Sequence, residues 1–143
     1  MVIYCLEDFK VEFEKLISKN SYKSLQKEII NYFFDKTVQD LASGTRLNGD
    51  SETPYIKKRL KGSGGFRCYF LLVLKNEDVY LMFVHPKTGS MGSSNINDES
   101  KAYLYKKVLD CIKSDNLYVL SLDDSKKKII FKEKPEINPE VSV

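Results

Sequence analysis

The segment 55–67 has the strongest potential for chemistry in this sequence, because it places several cations close together. It reads Tyr-Ile-Lys-Lys-Arg-Leu-Lys-Gly-Ser-Gly-Gly-Phe-Arg. Side chains of a β-strand alternate between its two faces, so a strand here carries Lys57, Arg59 and Lys61 on one face. The glycine-rich turn brings the chain back, and Arg67 then joins the same face. The pattern predicts a cationic surface on two neighbouring strands.

Cations gathered on one pleated surface repel each other unless an anion neutralises them. RNA phosphate is the obvious candidate, and such a cluster can also stabilise the charge that develops on a cleaved phosphodiester. The alternative is a solvated edge strand that uses Lys and Arg to block aggregation. The residue types alone leave both interpretations open.

The net charge supports a localised basic surface. The 143 residues carry only +3 in total, but residues 51–90 contain seven bases against three acids, a net +4. No acid lies between Thr53 and Asn76. An asymmetry of this kind indicates a surface that faces a polyanion.

The remaining composition excludes several function classes. The three cysteines (Cys5, Cys68 and Cys111) are far apart and form no Cys-x-x-Cys pair, so we expect reduced cytoplasmic thiols and no metal site. The single histidine, His85, excludes most histidine-based catalysis, but its ordinary pKa suits proton transfer near neutrality. The longest apolar run, 68–74, is shorter than the ~20 residues of a membrane span, and no leader opens the chain.

The hydrophobic pattern predicts the elements that must position these residues. They follow the order β-α-α-β-β-β-α-β-β in one α+β domain, residues 1–133, with a flexible tail over 134–143. Asp8 is expected to cap the first helix, and Asn95 or Asn97 the last. The predicted strands are 2–6, 55–61, 66–75, 79–85, 117–122 and 128–131, and the predicted helical regions are 9–36 and 98–113.

The loop 86–95 is polar and rich in glycine and serine. Its amides and hydroxyls can form an anion-binding nest before the following helix, or it is an ordinary strand-to-helix connection. We favour the ordinary connection.

The segment 55–67 resembles the RelE/ParE superfamily of toxins from bacterial toxin–antitoxin pairs, in particular the RelE/HigB-like branch. The similarity lies in the pattern basic–apolar–Arg–Leu, a Gly/Ser turn, and Gly-aromatic-Arg before an apolar strand. It extends over about residues 2–113, including 79–87, which ends in basic residues. The resemblance implies a curved antiparallel sheet with the helices, two amino-terminal and one carboxy-terminal, packed on one side.

The resemblance also implies roles for individual residues. Arg67 corresponds to the arginine that holds the scissile phosphate, and Arg59, His85 and Lys87 lie where catalytic residues are expected. The implied mechanism is 2′-hydroxyl attack on the adjacent phosphate, with cations stabilising the pentavalent oxyanion. A lysine of depressed pKa is an alternative base to His85. RNA phosphates are expected to contact three further lysines: Lys57, Lys58 and Lys61.

The expected function is that of a toxin that cleaves mRNA in the A site of the 30S ribosomal subunit and is held inactive by a protein antitoxin. No cofactor, metal or membrane is expected. The resemblance does not identify the general acid. Tyr103 and Tyr105 are candidates, and both can equally be packing residues. The alternatives are a non-catalytic, ParE-like inhibitor of DNA gyrase and an RNA-binding module that is not a toxin.

Overall fold

A mixed β-sheet forms the centre of the molecule, with helices on both of its faces. The computed structural model describes residues 1–62, 65–87 and 96–134. Within them the helices are α1 (Glu7–Ile17), α2 (Leu25–Phe33) and α3 (Asp98–Ser114), with a short 3₁₀ turn at Asn20–Tyr22. The strands are β1 (Val2–Cys5), β2 (Thr45–Arg46), β3 (Tyr55–Leu60), β4 (Phe66–Val73), β5 (Asp78–Pro86), β6 (Tyr118–Leu122) and β7 (Ile129–Glu133). The α+β prediction is confirmed.

The strand order in the described residues is β2-β3-β4-β5-β1-β6-β7. Neighbouring strands are antiparallel except β1 and β5, which run parallel. The expectation of a wholly antiparallel sheet is therefore wrong. The chain leaves β1, forms α1, α2 and three further strands, and then returns as β5. A connection of this length allows parallel pairing, which a short hairpin cannot.

The two faces of the sheet bury two separate cores, as the alternation along β4 shows. Phe66, Cys68 and Phe70 pack in the core that includes α1 and α2. Tyr69 and Leu71 pack with the buried residues of α3 on the opposite face. The helices therefore cover both sides of the sheet, whereas the family resemblance implies helices on one side.

The starts of α1 and α3 differ in how they are capped. The prediction that Asp8 caps α1 is wrong, because Leu6 occupies the capping position. The backbone N–H of Leu6 still donates to the Leu81 carbonyl of the sheet at 3.0 Å. The sheet bonding thus continues to the residue before the helix, and Asp8 falls in its first turn. For α3 the cap is Asn97, whose Oδ1 accepts from the Ser100 N–H at 2.7 Å.

Two predictions fall largely on residues that the structure does not describe. The possible anion-binding loop 86–95 lies outside the described residues beyond position 87, and the tail 134–143 beyond position 134. Among the residues it does describe, no helix is long and apolar enough to cross a membrane.

Candidate nucleic-acid interface

Three of the predicted site residues form a row across three neighbouring strands of the sheet, β3, β4 and β5. Arg59 of β3 is directly opposite Arg67 of β4, and Arg67 is directly opposite His85 of β5. Residues paired in this way have Cβ atoms about 5 Å apart and point to the same face. We call Arg59, Arg67 and His85 the basic row. It lies on the face that α3 covers.

His85 belongs to this row because of a β-bulge in β5. Tyr69 pairs with Phe83, but the next residue of β4, Phe70, pairs with Leu81, so β5 carries one extra residue at Met82. Strict alternation from Leu81 would place His85 on the α1–α2 face. The bulge reverses the alternation and brings His85 next to Arg67.

Lys57 lies one residue pair further along the same face, opposite Tyr69. It is half-buried, and burial lowers its pKa, with further contributions from the charges of Lys101 and Arg67. Lys101 comes from the first turns of α3 and is paired with Asp98 at 3.6 Å. The ammonium of Lys57 therefore loses its proton more readily than that of an ordinary lysine, which the sequence alone did not indicate.

The cations that β3 and β4 present on this face have no acidic partner in the described part of the chain. The ion pairs found there use other lysines, namely Lys10, Lys15, Lys101, Lys107 and Lys134. Lys57, Arg59 and Arg67 make none of them. Three uncompensated cations on adjacent strands create a positive potential that attracts a polyanion.

His85 is a buried member of a hydrogen-bond chain. It is 5% exposed, and its Nδ1–H donates to the Pro86 carbonyl at 3.1 Å. A carbonyl can only accept, so Nε2 of the neutral ring is the acceptor and the Tyr69 hydroxyl donates to it at 3.3 Å. Burial lowers the pKa of His85, and the charges of Arg67 and Lys57 lower it further. Both ring nitrogens thus have a hydrogen-bond partner, and the lowered pKa favours the neutral ring.

Tyr69 is the member of this chain that the sequence interpretation missed. Its hydroxyl also accepts from the backbone N–H of Ile96, just before α3, while burial raises its pKa. The signal was available, since Tyr69 is two residues after Arg67 on the same strand and so points to the same face.

The other predicted phosphate-binding lysines occupy different places. Lys58 points to the opposite face, as alternation predicts, where its Nζ lies 3.3 Å from Ser43 Oγ and 5.4 Å from the centre of the Tyr32 ring. Lys61 is exposed just after β3. Lys87 is half-buried, and its backbone N–H bonds to the Gly65 carbonyl at 3.0 Å, beside the β3–β4 turn.

The two tyrosines considered as acids lie on α3. Tyr105 stacks on Tyr55 with ring centres 5.5 Å apart and therefore has a packing role. Tyr103 is exposed, and its hydroxyl accepts from Lys107 Nζ at 3.0 Å. Neither belongs to the basic row.

A cavity of about 320 Å³ opens beside the basic row at the end of β2, lined by Gly44, Thr45, Lys57, Lys58, Arg59 and Arg67. Gly44 has φ +118°, and a Cβ there would lie 2.8 Å from Ile56 Cγ2 and 2.9 Å from the Lys57 carbonyl oxygen. Glycine is thus required for the chain to pass this close to β3. The cavity is polar and cationic, as a phosphate site requires.

The residues of this surface suit anion binding better than metal binding. In the described ranges, no three His, Cys, Asp or Glu side chains come together as metal ligands. Arginine forks bind phosphate oxygens in pairs, and a lysine adds a compact charge. No model of a known protein family matches the chain, and a comparison with curated proteins finds no significant match.

Proposed function

We propose that the protein is an RNA-binding endoribonuclease, the toxin of a toxin–antitoxin pair that cleaves mRNA at the ribosome in the cytoplasm. The observation that carries the proposal is the uncompensated cationic surface formed by Lys57, Arg59 and Arg67. A RelE-like relationship accounts for the pattern in 55–67, and a protein antitoxin would mask this surface.

Lys57 supplies the base in the proposed reaction. Its lowered pKa increases the fraction of neutral amine that can take the proton of the RNA 2′-hydroxyl. The 2′ oxygen bonds to phosphorus as the bond to the 5′ oxygen breaks, leaving a 2′,3′-cyclic phosphate and a 5′-hydroxyl. Arg59 and Arg67 stabilise the charge on the phosphorane, and the ammonium of Lys87 returns a proton to the leaving oxygen.

His85 has an indirect role in this scheme. Its nitrogens are committed to Pro86 and Tyr69, so the neutral ring adds no charge and offers no free nitrogen to RNA. We assign it a positioning role next to Arg67.

Expression in bacteria tests this function. The wild-type protein should arrest growth and produce mRNA ends carrying a 2′,3′-cyclic phosphate, while Arg67→Ala and Lys57→Met should reduce cleavage at least 100-fold. Lys132→Ala removes an exposed cation from β7, at the far edge of the sheet, and should leave cleavage unchanged. Cleavage that is equally fast in Arg67→Ala and wild type would contradict the proposal.

Binding without cleavage is the second candidate function. It is favoured by the burial of His85, the one side chain with an ordinary pKa near neutrality. A non-catalytic RNA-binding module, or an inhibitor of DNA gyrase, would still use the basic row. Growth arrest with a DNA-damage response and intact mRNA would support the gyrase version.

A further inference from the structure

A second cationic cavity lies on the α2 side of the sheet, away from the basic row. It has a volume of about 390 Å³ and is lined by Lys27, Ile30, Asn31, Lys126 and Lys127. This volume is within the range of roughly 300–1,000 Å³ that is usual for small-molecule sites. Among the residues that the structure describes, no acid lines it. The cavity therefore suits a small anion.

Two elements that are distant in sequence bring these lysines together. Lys27 belongs to α2, whereas Lys126 and Lys127 belong to the turn between β6 and β7. The residue before Lys27 fixes the helix to this hairpin, because Gln26 Oε1 accepts from the Ile129 backbone N–H at 2.9 Å. The position of the cavity is thus set by a contact of the folded backbone.

The turn itself is held by the carboxylate of Asp123. Asp123 Oδ1 accepts from the backbone N–H groups of Lys127 and Lys128, and the Lys126 N–H donates to the Asp123 carbonyl at 2.9 Å. None of the ion pairs in the described ranges uses Lys27, Lys126 or Lys127. The three ammonium groups are therefore left without an acidic partner from this part of the chain.

Two of the three lysines occupy positions that do not favour lysine. Lys126 has φ +58°, a left-handed conformation that hairpin turns usually assign to glycine or asparagine. Lys27 lies in the first turn of α2, where the helix dipole disfavours a cation, and Glu28 of the same turn does not line the cavity. An anion bound between them would interact favourably with both side chains, which gives a functional reason for these residue types.

This cavity and the basic row are too far apart to share a small ligand. Because β6 runs antiparallel to β1, the turn after Leu122 lies at the Val2 end of β1, and Val2 pairs with Asp78 at the start of β5. His85 is near the other end of β5, roughly 20 Å further along the strand. The basic row also lies on the opposite face of the sheet. The two clusters are thus separate sites.

We propose that this second cavity binds a diphosphate group, either as free pyrophosphate or as part of a nucleoside diphosphate. Linked phosphates concentrate several negative charges in a small volume, which matches three converging ammonium groups. Lysine binds phosphate as a compact charge with three donors, and the Asn31 amide offers further N–H groups. The half-buried Ile30 supplies an apolar wall against which a nucleoside can pack. The proposal does not depend on RNA cleavage.

Isothermal titration calorimetry with pyrophosphate, ADP, AMP and adenosine tests this site. We expect pyrophosphate and ADP to bind about tenfold more tightly than AMP, and adenosine not to bind. Lys27→Gln and Lys126→Gly should each weaken the binding of both diphosphates about tenfold. Since glycine suits the left-handed backbone at position 126, Lys126→Gly keeps the turn and reports the loss of the ammonium. Tighter binding of ADP than of pyrophosphate would identify a nucleotide as the ligand, and equal binding would identify free pyrophosphate.

Lys128→Gln is the matched control, because it removes one charge from the same turn at an exposed residue that does not line the cavity. It should change the affinity less than about twofold. Absence of binding of both diphosphates, or equal weakening by Lys128→Gln and Lys126→Gly, would overturn the site. Binding that is lost in Arg67→Ala and retained in Lys126→Gly would also overturn it, while supporting the basic row as a phosphate-binding surface.

Discussion

The salt dependence of the proposed RNA binding tests how many phosphates Lys57, Arg59 and Arg67 contact. Each phosphate neutralised on a single strand contributes about 0.7 to the slope of log affinity against log salt concentration. Lys57, Arg59 and Arg67 lie on adjacent strands and form no ion pair within the described ranges, so three contacts give a slope near −2. A fourfold rise in salt then weakens binding roughly 20-fold.

Removing one arginine should change this slope by a defined amount. Arg59→Ala and Arg67→Ala should each reduce it to about −1.4, so the same rise in salt weakens binding only about sevenfold. Fluorescence anisotropy with an all-uridine 2′-O-methyl RNA heptamer, which lacks the 2′-hydroxyl nucleophile and so cannot be cleaved by the proposed reaction, gives both the affinity and the slope across a salt series. The two variants should also bind more weakly than wild type at low salt.

Lys132→Ala provides the control for this measurement, because Lys132 is an exposed cation on the edge strand β7. It should keep the wild-type slope. A wild-type slope in both arginine variants, or an equal reduction in Lys132→Ala, would refute the assignment of Lys57, Arg59 and Arg67 as the phosphate-contacting residues.

Two further predictions concern the fold that supports this surface. Because the pKa of His85 is lowered in the folded protein, the unfolded chain takes up a proton more readily as the pH falls below about 6.5, so stability should decrease there. Urea denaturation should show this decrease in the free energy of unfolding in wild type and a smaller decrease in His85→Gln. An equal decrease in the two proteins would exclude His85 as its source. Phe70→Ala should cost about 3–5 kcal/mol, because Phe70 is fully buried against Phe33 with ring centres 5.1 Å apart. Thermal or urea unfolding measures this cost, and a loss below about 1 kcal/mol would contradict the packing described for that core.

Local patterns were sufficient to predict most of the elements. The nearly continuous apolar run in β4 and the helical spacing of Phe9, Phe13 and Leu16 are each determined by neighbours close in sequence. The turn between β6 and β7 was also predicted from its local residues. In the structure, Asp123 Oδ1 accepts from the backbone N–H groups of Lys127 and Lys128 at 3.0 and 3.1 Å.

Features that depend on distant partners were not predictable in the same way. The parallel pairing of β1 with β5 depends on contacts between residues more than 70 positions apart, such as Val2 and Asp78. The short strand β2 lies in a stretch whose composition indicates only a loop, and it forms because it pairs with Lys57 and Ile56. No local signal specifies either pairing.

The bulge at Met82 shows how one such feature changes the interpretation of the candidate site. Alternation correctly placed Lys57, Arg59 and Arg67 on one face and Lys58 on the other. The same rule applied to β5 would have separated His85 from them, whereas the extra residue brings it to Arg67. The bulge also places Phe83 on the α3 face, where it lines a cavity of about 190 Å³ between β5 and α3.

The position of His85 leaves the proposed proton transfer to the lysines. His85 is buried, both of its ring nitrogens have hydrogen-bond partners, and burial lowers its pKa, so it is poorly suited to carry charge on this surface. The mutual repulsion of Lys57, Arg59 and Arg67 is then not relieved from within the described structure. The proposed RNA ligand would neutralise them and so stabilise the folded state by mass action, which gives the proposal a second readout in the stability of the protein.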